Sequence, residues 1–139
     1  MSHQLLFDAA RRLLLVRFAG PLGPADFEAL TADTRAFAQR HGGCDGIVDF
    51  SAVTSIDLPL DFMRTYSQQS RVMSGFRRVV VAPQAQIFGF ARLYGLYQDN
   101  QGADQPLVVK TLAEAYAGLD LDAPSFRPVT SAGSLDKAG

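Results

Sequence analysis

Two histidines, one cysteine and 14 carboxylates are the groups in this 139-residue chain with the widest chemical reach. A metal centre needs several ligands at set spacings, and neither His3 nor His41 has a second histidine nearby. Cys44 is the only cysteine, so a thiolate-rich zinc site and an internal disulfide are both excluded. A serine–histidine–aspartate triad can be assembled on paper, but the Gly-x-Ser-x-Gly turn that exposes a serine nucleophile is absent. No nucleophile–base pair can be named, and catalytic residues are not expected. His41 reads as a positive group at a helix C-terminus, where the helix dipole favours it. His3 reads as a mobile terminal residue. Cys44 lies between Gly43 and Asp45. A reactive thiolate wants positive surroundings, which Arg40 and His41 could supply and Asp45 opposes, and Cys44 reads as a small, partly buried structural residue. The run Gly42-Gly43-Cys44-Asp45-Gly46 leads from a helix into a strand. Phosphate cradles run the other way, from strand to helix, and no Gly-Lys-Ser/Thr follows. No cofactor or metal is expected.

Three groups remain. Asp49, Ser51, Ser55 and Asp57 gather at the carboxyl end of a central strand, where open α/β sheets place ligands and partners. They form a candidate regulatory loop. The plain alternative is that Asp57 caps a helix and the serines satisfy loop backbone. Arg64, Arg71, Arg77 and Arg78 are the densest basic group, and they read as a solvated face. Phe88, Phe90, Tyr94, Leu96 and Tyr97, with Arg92 among them, make one helix apolar around most of its surface. One sheet contact cannot bury all of that, so these six residues form a candidate partner or ligand surface.

The elements that must carry these groups follow from periodicity. Gln4–Phe7 and Leu13–Ala19 read as an opening hairpin, and Gly20-Pro21-Leu22-Gly23-Pro24 reads as the turn that ends it. Pro24, Asp26 and Glu28 start a helix that Arg40-His41-Gly42-Gly43 closes. Asp45–Phe50 is a buried strand, followed by a loop over Ser51–Asp57. A second helix starts near Asp57–Pro59 and buries Phe62, Tyr66 and Met73. Phe76–Ala82 is a central strand, Gln84–Asn100 a third helix and Leu107–Val109 a last strand. Thr111-Leu112-Ala113-Glu114 has the capping pattern of a fourth helix, which ends near Gly118. Residues 1–119 thus form one α/β domain with a mixed, mostly parallel five-stranded sheet and about four helices. Residues 120–139 read as a tail, which could cover the aromatic helix through Phe126 and Val129.

A net charge of −1 and a pI near 6.0 offer no basic excess for nucleic acid. No apolar run approaches the roughly 18 residues of a membrane span. Arg17 cuts Leu13–Val16 too short for the core of an export signal. A single cysteine fits a reducing, cytoplasmic setting.

The element order, with Ile47-Val48-Asp49-Phe50-Ser51-Ala52-Val53-Thr54-Ser55-Ile56-Asp57 at its centre, resembles the STAS domain of bacterial anti-sigma-factor antagonists and sulfate-transporter tails. The stretch from Val79-Val80-Val81-Ala82-Pro83 through Phe88–Tyr94 to Thr111–Ala115 looks like the broad STAS-like group, which is linked by shape to lipid-transfer domains. The resemblance covers about residues 4–119. It implies a non-catalytic regulatory or protein-interaction module. Antagonists of this type carry a phosphorylatable serine, after Asp and before Ser-Gly, at the start of the helix that follows the central strand. The matching stretch here is Asp57-Leu58-Pro59-Leu60: the aspartate is present, the serine and the Ser-Gly are not. The expectation is a homodimer or a protein partner engaged through the aromatic helix. The alternative is a small carrier or sensor of an apolar, lipid-like ligand.

Overall fold

Alternating apolar residues on both sides of the opening strands dictate a sheet covered on two faces. A computed structural model describes residues 3–69, 73, 75–100 and 106–129, with side chains through 96 in the third helix. β1 (His3–Asp8) and β2 (Leu13–Leu22) form the expected antiparallel hairpin, with Leu6 opposite Leu15. Leu14, Val16 and Phe18 of β2 enter one core, and Leu13 and Leu15 enter another on the opposite face. α1 (Pro24–His41) starts as its sequence dictates: Gly23 N–H donates to the Asp26 carboxylate at 2.8 Å. It stops at Gly42, whose φ of 81° suits glycine and whose N–H bonds Ala38 O. The Arg12 guanidinium reaches across from the hairpin turn and donates to the carbonyls of His41 and Gly43.

β3 (Asp45–Ile56), α2 (Leu60–Ser67), β4 (Arg78–Val81), α3 (Ala85–Asn100), β5 (Leu107–Val109), α4 (Leu112–Gly118) and β6 (Arg127–Pro128) complete the order. The sheet runs β5-β4-β3-β2-β1-β6, and the pairs from β2 to β5 are parallel. Because those strands are laid down in one direction, right-handed crossovers put α1, α2 and α3 on the same face. Phe27, Leu30, Phe37, Ile87 and Phe88 pack there. Ala115 and Leu119 of the α4 region, with Leu121 and Phe126, cover the other face over Leu15, Ile47, Val79 and Val81.

Three expectations change. The sheet has six strands where five were expected, because Phe7 and Leu6 pair with Arg127 and Pro128, and Val129 N–H donates to Leu5 O. Pro128 lacks an N–H and suits this outermost strand. Phe126 therefore packs on the face opposite α3 and does not cover the aromatic helix. β2 runs on through Pro21 to Leu22, and β3 through the Ser51–Ile56 stretch expected as loop. Their pairing shifts register twice, between Arg17 and Ala19 and between Gly20 and Pro21. Each shift sets an extra β3 residue against β2, as bulges do. Gly20 takes a φ of 76° at the second, so turn-forming residues here bend a strand that continues.

Candidate functional site

The first bulge organises the polar end of β3. Asp49 is buried, and its Oδ1 accepts from Ser51 N–H at 2.9 Å and from Ser51 Oγ. Arg17 lies 3.9 Å from its other oxygen. The Gln84 amide, just before α3, donates to Phe50 O at 3.1 Å and Val53 O at 2.9 Å. It thereby satisfies carbonyls beside the bulges and ties the start of α3 to β3. Ser51 and Ser55 are exposed strand residues, not loop residues. Asp57 is exposed, and its N–H donates to Leu22 O. It does not cap α2, whose N-cap is Pro59 with no side-chain hydrogen bond. The four residues share one end of the sheet, but only Asp49 and Ser51 touch among the described contacts.

The six residues of the aromatic helix do not form one surface. Phe90 and Tyr94 turn inward and line a cavity. Phe88 packs against the first core with the Lys110 ammonium over its ring. Arg92 and Leu96 are exposed, Leu96 by 53%. The side chain of Tyr97 lies outside the described residues. The sequence shows an apolar surplus but not where it goes: Phe90 and Tyr94 face a cavity that the chain itself forms and that is partly open to solvent.

That cavity has a volume of about 240 Å³. It lies between the sheet and α1, α2 and α3, walled by Phe27, Val48, Phe62, Val80 and Phe90 among others. Arg78 is the one charged residue on its wall among those described. Three of the hydroxyls that reach it are engaged within the chain, and the exposed Gln69 also lines it. Thr31 Oγ1 and Tyr66 Oη lie 2.7 Å apart, and both reach Phe27 O. Thr34 donates to Leu30 O at 2.7 Å. Burial pushes the Tyr66 phenol above its ordinary value, with Tyr94 adding to that and Thr31 and the Arg78 charge opposing it. Burial likewise raises the Cys44 thiol, which sits 3.9 Å from Met73 Sδ. Cys44 is a buried wall residue whose surroundings oppose the thiolate.

The histidines serve packing. His3 is a buried β1 residue, not a mobile end: its Nε2 lies 2.7 Å from Asp33 and its ring packs on Phe18. The His41 ring lies tilted against those of Phe37 and Phe7. Among the described residues there is no group of three or more His, Cys, Asp or Glu able to hold a metal. Nor is any described helix long and apolar enough to cross a membrane. Of the basic group, Arg77 pairs with Asp45 at 2.9 Å, Arg78 reaches the cavity, Arg64 is exposed and Arg71 lies outside the described residues.

No family profile matches the chain, and no curated protein matches it in sequence. Among solved structures it is similar to the anti-sigma factor antagonist SpoIIAA in its unphosphorylated form. The TM-score is 0.57 at 16% identity, over 85% of this chain and 97% of that one. At that identity the likeness establishes the fold, which is STAS-like.

Proposed function

We propose that this chain is a non-catalytic regulatory or protein-interaction module of the STAS-like type, acting in the cytoplasm. The observation that carries the proposal is the fold: nearly the whole of an anti-sigma factor antagonist is matched by this chain. The docking edge is the carboxyl end of β3 with the start of α2. Ser51, Ser55, Asp57 and Leu60 are exposed there, Leu60 by 49%. The stretch Asp57-Leu58-Pro59-Leu60 carries no hydroxyl, so a phosphorylation switch at the start of α2 has no acceptor.

Homodimer formation through α3 belongs to the same proposal. It rests on Arg92 and Leu96, since Phe90 and Tyr94 face inward. Native mass spectrometry of the full chain tests it. The expected result is a dimer without added phosphate, converted to monomer by Leu96→Glu. A wild-type monomer at micromolar concentration would remove the dimer contact. The interaction role itself is tested by pull-down, with Leu60→Glu and Ser55→Glu expected to weaken capture of a protein partner. Capture insensitive to both changes would exclude the β3–α2 edge.

A further inference from the structure

We propose that the cavity under α1, α2 and α3 is a binding site for a small, uncharged, mainly aromatic molecule of about ten non-hydrogen atoms. This goes beyond the interaction role and does not depend on it. Size sets the first limit. An apolar cavity of about 150 Å³ lined by Leu, Ile and Phe stays dry and admits benzene. At about 240 Å³ the space here is more than half as large again. The cavity is partly open to solvent, so a guest can enter it, and a guest there would gain dispersion contacts from its apolar lining.

Chemistry sets the second limit. The rings of Phe27, Phe62, Tyr66 and Tyr94 lie near one another, with Phe62 and Tyr66 stacked at 5.5 Å and Tyr66 and Tyr94 centred 6.1 Å apart. Phe90 adds a further ring to the wall. A flat guest gains offset-stacked and edge contacts from such walls. The donors of Thr31, Thr34 and Tyr66 are spent on Phe27 O and Leu30 O or on each other. A ligand therefore need bring no acceptor for these three hydroxyls, and one rich in polar groups would find few partners besides Gln69 and Arg78. Arg78 has a further interaction of its own, and the octanoate arm of the test below asks whether its charge selects an anionic head instead.

The test titrates the full-length protein with indole and, separately, with octanoate, reading Tm and two-dimensional amide NMR. Indole at roughly one hundred times its Kd is expected to raise Tm by about 5–10 °C. Its shift changes should be confined to cavity-wall residues on α1, α2, α3, β2, β3 and β4. Ala91→Leu and Thr34→Leu fill the space from opposite sides. In either variant that folds, the indole effect should fall at least tenfold. Binding of octanoate in place of indole would overturn the uncharged aromatic assignment. No effect of either probe would overturn the site, and so would indole shifts that persist in both filled variants.

Discussion

Asp8 is a tightly constrained carboxylate. It is 2% exposed, yet it holds the hairpin turn and the C-terminal stretch together. Its oxygens accept from Arg11 N–H, from the Arg11 guanidinium at 3.1 Å and from Ser125 N–H at 2.8 Å. Burial pushes its pKa up, but these hydrogen bonds and the Arg11 charge outweigh burial and hold it below the ordinary 3.8. A carboxyl depressed in the folded state stabilises fully above its unfolded value, and that stability is lost as pH falls through the folded value. Asp8→Asn should therefore cost about 2 kcal/mol near neutral pH, since it removes hydrogen bonds to a charge. The gap to wild type should close below 3.8. Thermal melts across that range check this, and a gap that stays constant with pH would show that the charge contributes nothing. Cys44 makes a simpler expectation at the same scale. Its raised pKa and burial predict slow alkylation in the folded protein, and fast alkylation only in denaturant.

Helices and strands were legible where local chemistry alone decides them. Pro24 and Asp26 start α1, and Gly42 ends it. Thr111 Oγ1 accepts from Glu114 N–H at 3.1 Å, as the capping pattern requires. The length of β3 was not legible, because a bulge is a property of two paired strands and Ser-Ala-Val-Thr-Ser reads alone as a loop. The same blindness hid Gln84, whose partners lie more than thirty residues away. Replacing it probes the joint between α3 and β3. Gln84→Ala should cost about 1–3 kcal/mol by leaving partly buried carbonyls unpaired. Gln84→Glu should cost more near neutral pH, because a carboxylate would face the carbonyls of Phe50 and Val53, and part of that loss should return on acidification. Chemical denaturation at two pH values measures both. Equal stability of the two variants at neutral pH would show that the amide donors do not hold the joint.

At the scale of the whole molecule, periodicity assigned the aromatic residues of α3 to a helix but could not assign them to sides. Which way Phe90 and Tyr94 turn depends on how α1 and α2 leave space over the sheet, and that is set by strand order. The C-terminal stretch poses the same kind of problem. Its composition reads as a tail, yet residues 121–129 close one edge of the sheet and part of one face. β6 covers the free side of β1, Ser125 N–H bonds Asp8, and Leu121 and Phe126 lie over the core beneath α4. A chain ending at Asp120 would expose the β1 edge, whose unpaired backbone groups can template pairing with another copy. It would also uncover apolar side chains that Leu121 and Phe126 protect. The truncated chain should melt well below the full chain and associate with rising concentration, as light scattering would show. Phe126→Ala should reproduce the loss of stability, about 1–3 kcal/mol for a half-buried ring, without the association, because β6 would still pair with β1. If truncation left both melting and association unchanged, the stretch would be a passenger on the sheet and residues 3–120 the folding unit.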